Sequence, residues 1–99
     1  MNRIEENEKR LDSLNDIVSS LDKDMTDLEN NINEYYKLNK YYGSKNWLKD
    51  KEDFENGKIK DIKAGVLSED AVWNLDEDMN DLIKRMNKLI KFMNNKKKQ

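Results

Sequence analysis

The chain has 99 residues and no cysteine, histidine or proline, enough for one small domain and too little for two. Without Cys or His there is no disulfide framework, thiolate nucleophile, imidazole base or zinc site of the usual nitrogen and sulfur kind. Charged residues make up 40% and hydrophobic residues 35%, a balance shared by disordered chains and long exposed helices, and three glycines with no proline decide for helices.

Nineteen basic and 21 acidic residues give a formal net charge of −2, so no global field favours nucleic acid or an anionic membrane. No apolar run approaches the roughly 20 residues that span a bilayer. Met1 to Arg10 is charged throughout and does not read as a signal peptide. The expectation is a soluble, cytoplasmic protein with no membrane role. Sixteen lysines against three arginines, with 14 asparagines, point to an AT-rich genome such as that of a low-GC bacterium or its phage.

Apolar residues first fall on a 3,4 alternation. Ile4, Leu11, Val18, Met25 and Ile32 take one heptad position and Leu14, Leu21, Leu28, Tyr35 and Tyr42 the other, interrupted by Asn7 and Asn39. This predicts one helix over about residues 2 to 42, roughly 60 Å long. Tyr35, Tyr36, Tyr41, Tyr42 and Trp47 crowd its end, and such rings suit a domain corner or a binding surface.

Gly43 can end this helix and Ser44 can cap the next, a short helix over about 45 to 56 that presents Trp47, Leu48 and Phe54 and stops at Gly57. The conformation of 57–67 stays open, although Ile59 and Ile62 have helical spacing. Ser68 then reads as an N-cap, Glu69 and Asp70 as acids favoured by the helix dipole, and Leu67 with Val72 as a hydrophobic staple. Val72, Leu75, Met79, Leu82, Met86, Leu89 and Met93 resume the alternation, widened by Ile83 and Ile90. The last helix is predicted over about 69 to 94, with a frayed basic tail at 95–99. Its first half is acidic and its second half basic, as its dipole favours.

The fold expected is therefore all-α and a single domain. Two long antiparallel helices are joined through the short one and pair in a coiled-coil-like manner. Folding the last helix back on the first leaves roughly 20 Å of the first uncovered. Ile4, Asn7, Leu11, Leu14 and Val18 are the candidates for a dimer seam there, and a homodimer is the expected means of covering it.

From Tyr41 to Leu75 the chain carries Tyr41-Tyr42, Trp47, Asp50, Glu52 and Gly57, then Gly65-Val66-Leu67-Ser68-Glu69-Asp70 and Trp73-Asn74-Leu75. This pattern resembles a bacterial family of small helical proteins classed as a domain of unknown function. The chain departs from that pattern at Lys51, often Tyr in the family, and at Lys58, where Pro is common. The resemblance implies a small helical protein of bacterium or phage and brings no catalytic residues.

Asp76, Asp78 and Asn80 lack the glycine and the terminal glutamate of an EF-hand loop and fall on a predicted helix. Asp50, Glu52, Asp53 and Glu55 read as a solvated face. No phosphate loop, nucleophile elbow or dinucleotide signature occurs. The expected function is thus a non-enzymatic protein-interaction module with no cofactor or metal. Within that class the favoured form is a small regulator or inhibitor from phage or a mobile element, of anti-CRISPR or other anti-defence type. Its partner-binding candidates are Tyr36, Tyr41, Tyr42, Trp47 and Trp73. The alternatives are a type VII-like helical-hairpin secretion partner, whose Trp-x-Gly turn is missing here, and an acidic nucleic-acid mimic.

Overall fold

A computed structural model describes residues 2–97. Among them there are three α-helices, α1 (Arg3–Tyr41), α2 (Lys45–Glu55) and α3 (Ala71–Lys97), one 3₁₀ turn at Gly65–Leu67, and no strand. The order long, short, long is the predicted one, and the fold is all-α. By contact density the chain falls into two units, one ending at Lys37 and the other beginning at Leu38.

The first unit is the uninterrupted helix α1 as far as Lys37; the last turn of α1 belongs to the second. Asn2 caps α1: its Oδ1 accepts from the Glu5 backbone amide at 2.9 Å, and its side-chain amide donates to Glu5 Oε1 at 3.3 Å. Asn7 and Asn31 donate their side-chain amides to the carbonyls of Arg3 and Asp27, both at 2.7 Å. These bonds satisfy polar groups on the helix's own backbone and ask for no partner. The Lys23–Asp27 and Lys37–Glu34 ion pairs lie on exposed surface, where such pairs contribute about 0.3–0.5 kcal/mol each.

The second unit is built around a corner. The Tyr41 carbonyl accepts from the Ser44 amide at 3.0 Å, with Gly43 third in this four-residue turn at φ 76°, the left-handed value that a type II turn requires there. Ser44 then caps α2, its Oγ accepting from the Trp47 amide at 3.2 Å. At the far end of α2 the Lys58 amide reaches the Asp53 carbonyl and the Gly57 amide that of Phe54, the two bonds of a Schellman stop around Gly57 at φ 75°. Residues 58–64 are irregular, so the helical spacing of Ile59 and Ile62 marks no helix.

α3 begins at Ala71, two residues later than expected. Ser68 does cap, with its Oγ accepting from the Ala71 amide at 3.1 Å, but the first helical bond runs from the Asn74 amide to the Asp70 carbonyl. Glu69 stays outside the helix, where its carbonyl accepts from the Tyr42 hydroxyl just past α1 and its carboxylate from Lys51 on α2. At its other end α3 runs to Lys97, beyond 94 and into the tail expected to fray. Lys98 and Gln99 lie outside the described residues.

The core is not where the periodicity put it. Among the described residues the buried hydrophobic ones are Trp47, Leu67 and Val72, all in the second unit, and α1 buries none. The seam residues expected to form a coiled-coil-like core are exposed instead, Leu14 and Val18 at 59% and 62% on α1, with Leu82, Met86, Leu89 and Met93 likewise open on α3. The staple pair Leu67 and Val72 has become most of the core.

The turns give a direct test. A Cβ added at Gly43 or at Gly65 meets open space, but only Gly43 has a left-handed φ. Gly43→Ala should therefore cost about 1–2 kcal/mol, whereas Gly65→Ala should be neutral or stabilise by up to about 1 kcal/mol. Thermal unfolding followed by the near-ultraviolet signal of the tryptophans separates the two outcomes.

Candidate functional site

The chemistry-bearing side chains of the second unit converge on Trp47. Its ring is 7% exposed, and its Nε1–H donates to the Val66 carbonyl at 2.9 Å, which fastens the Gly65–Leu67 turn to α2. Tyr42 meets it edge-on, with centroids 5.2 Å apart and planes at 70°, and donates its hydroxyl to the Glu69 carbonyl. Lys51 completes the arrangement. Its Nζ stands 5.2 Å from the Trp47 ring centroid and 2.9 Å from Glu69 Oε1, a cation shared between a π face and a carboxylate. The hydrogen bond and charge of Glu69 raise the Lys51 pKa, and the same bond lowers that of Glu69.

Tyr41 is held on the other side of the turn, its hydroxyl donating to Asp50 Oδ2 at 2.7 Å. Ionising this phenol would break the bond and set two anions face to face. The hydrogen bond to Asp50, then burial, then the Asp50 charge push the Tyr41 pKa from 10 up to about 12. The acidic cluster of α2 is thus not wholly a solvated face. Asp50 and Asp53 are half-buried, and Asp53 stands 3.9 Å from Lys58 Nζ.

Of the five partner-binding candidates, three are engaged inside the unit: Tyr41 with Asp50, Tyr42 with Glu69, and Trp47 with Val66. Two face solvent. Tyr36 is 62% exposed, with its ring 6.1 Å from that of Tyr35, and Trp73 is 56% exposed. Sequence reasoning did not find Asp50 and Lys51 as members of the corner. They stand nine and 18 residues from Tyr41 and Glu69, separations that no helical period couples.

The corner holds no reactive constellation. Its polar atoms satisfy one another, and its one strongly shifted group is a phenol made less acidic rather than more reactive. The other surface feature is apolar. Ile4, Leu11, Leu14 and Val18, the dimer-seam candidates, all lie open on α1, with Asn7 among them bonded to its own backbone. On α3 a basic face with Lys84, Arg85, Lys88 and Lys91 accompanies its exposed apolar stripe. Among the described residues no helix is long and apolar enough to cross a membrane, and no group of three or more acidic side chains could hold a metal ion.

Replacing Asp50 with Asn should return the Tyr41 pKa from about 12 towards 10, read by phenolate absorbance at 295 nm. The linkage has a definite sign. The folded-state pKa lies above the unfolded one, so the stabilisation is complete below about pH 10 and is lost as the pH rises through about 12. Tyr41→Phe should remove this alkaline loss of stability in melts taken across that range.

No curated protein and no solved structure matches the chain at a significant level. A family model does, over residues 4–89, from the first turn of α1 well into α3. The match agrees with the resemblance as far as a family of unknown function goes, and the chain belongs to the family described as a domain of unknown function, DUF4298.

Proposed function

We propose that this chain is a non-enzymatic protein-interaction module of the cytoplasm whose working surface is the apolar stripe of its long helices. One observation carries the reading: the 3,4 seam of α1 is open from Ile4 to Met25. A 39-residue helix ordinarily draws most of its stability from packing an apolar face, and a contiguous exposed stripe marks an interaction surface. The heptad spacing suits a helical partner in coiled-coil packing. Mutual satisfaction of the corner's polar groups supports a scaffold rather than a catalyst.

Within this class the finer reading is a small regulator or inhibitor of phage or mobile-element origin, of the anti-CRISPR or other anti-defence type, that works by occupying a protein target. Small size, a lysine- and asparagine-rich composition and the outward Tyr36 and Trp73 support it.

Two experiments address the two levels. A photo-cross-linking amino acid at Leu14 should give covalent protein adducts in cells, while the same group at Asp16, two residues on and off the seam, should give few. Equal labelling, or no adducts at either position, would overturn the interaction reading. For the finer reading, expression in an immune host should restore plaquing of the targeted phage, and a chain with Tyr36→Ala and Trp73→Ala should restore it less. Absence of rescue across nuclease-based systems would remove it.

A further inference from the structure

The chain holds 14 asparagines, and all but Asn2 and Asn56 lie inside the helices. Asn2 caps α1 through its own side chain. Asn56 follows the last residue of α2 and is the one asparagine that precedes a glycine. Both Asn56 and Gly57 are exposed, and a Cβ placed on Gly57 would meet nothing nearer than the Lys60 side chain at 4.0 Å. The Asn56 carboxamide therefore has water around it and, beside it, a backbone nitrogen that no side chain shields.

We propose that Asn56 is a site of spontaneous, one-way deamidation, and that the Schellman stop of α2 is the gate that sets its rate. The Gly57 amide nitrogen gives up its proton to solvent base and attacks Asn56 Cγ. The new N–C bond closes a five-membered succinimide as the Cγ–N bond of the carboxamide breaks, and the side-chain nitrogen leaves with protons from solvent as ammonia. Water then adds to one of the two ring carbonyls and splits that carbon from the Gly57 nitrogen. Opening at Cγ leaves an aspartate, whereas opening at the backbone carbonyl leaves an isoaspartate, whose main chain runs through Cβ and Cγ.

The closed stop holds this reaction back in two ways. Ring closure brings the Gly57 nitrogen into line with Asn56 Cβ, which needs a strongly negative ψ at Asn56. Its φ is −85° and its ψ 6°, so the following peptide plane must first swing well away from its place in the stop. The attacking N–H is also already engaged. It donates to the Phe54 carbonyl at 3.1 Å, and the next amide, that of Lys58, donates to the Asp53 carbonyl at 2.9 Å. A hydrogen bond made by the neutral amide disfavours its deprotonated form. Both bonds close an exposed helix end, the part of a fold that opens most readily, and cyclisation proceeds from that open state.

Either product weakens the stop that restrained it. The last turn of α2 holds Glu52, Asp53 and Glu55 and no base, so a new carboxylate at residue 56 stands against the helix dipole. Isoaspartate also lengthens the main chain by one carbon inside the Schellman loop, and the amides of residues 57 and 58 lose their register with the Phe54 and Asp53 carbonyls.

Peptide mapping by mass spectrometry of the full chain, kept in mildly alkaline buffer over weeks, should find aspartate and isoaspartate at Asn56 ahead of every other asparagine. In urea the same chain should convert at Asn56 at least several-fold faster. Lys58→Pro removes the amide that donates to Asp53 and should raise the rate in buffer several-fold, with circular dichroism checking that the helices remain. Hydrogen exchange of the Gly57 and Lys58 amides in the unaltered chain gives the open fraction independently, and the ratio of the rates in buffer and in urea should match it. No conversion at Asn56 in urea, or faster conversion at another asparagine in buffer, would overturn the site. Equal rates in buffer and urea, an unchanged rate in folded Lys58→Pro, or a rate ratio an order of magnitude away from the open fraction would overturn the stop as its gate.

Discussion

The bond from Trp47 to the Val66 carbonyl is the constraint on which the second unit depends. Few apolar residues are buried in this chain, so a single indole has an unusual share of the work. Its ring supplies the largest buried surface, its N–H satisfies a carbonyl in an irregular segment, and its π face receives Lys51. Fixing Val66 also fixes Leu67 and Glu69. Leu67 then joins the core with Val72, while Glu69 accepts from Tyr42 and pairs with Lys51. An irregular segment of this length would ordinarily sample many conformations; here side-chain to backbone bonds at Val66, Ser68 and Glu69 hold its end in one.

That corner explains a local structure without explaining the length of the helices. α1 is far longer than anything the corner needs, and its amphipathic pattern continues well beyond it. A pattern kept in register where the chain itself offers no burial is the physical sign of a surface made to be covered. The family assignment names no activity, so the case for function rests on these surfaces.

Lys51 shows how a single position can tie several features together. It meets both the Trp47 ring and the Glu69 carboxylate. As an ion pair with one exposed member it contributes little stability. Its larger effect is geometric: it holds the residues before α3 close to α2, so that α3 starts beside the corner and two residues later than its acids alone would have placed it.

Much of this was determined by the sequence itself. Helix number and order, the Ser44 and Ser68 caps and the Gly43 and Gly57 stops follow from local rules, because hydrogen bonds three or four residues apart need no distant partner. The apolar importance of Leu67, Val72 and Trp47 was legible too, as short-range hydrophobic signals, and all three are buried. Tertiary structure alone decided the rest. Tyr41 with Asp50, Trp47 with Val66 and Lys51 with Glu69 join residues across turns whose path no periodicity encodes. It also decided which apolar residues are core. The 3,4 repeat reports that a face will be buried and is silent on what buries it. In this chain three residues near the corner are covered from within, while the long seams stay open.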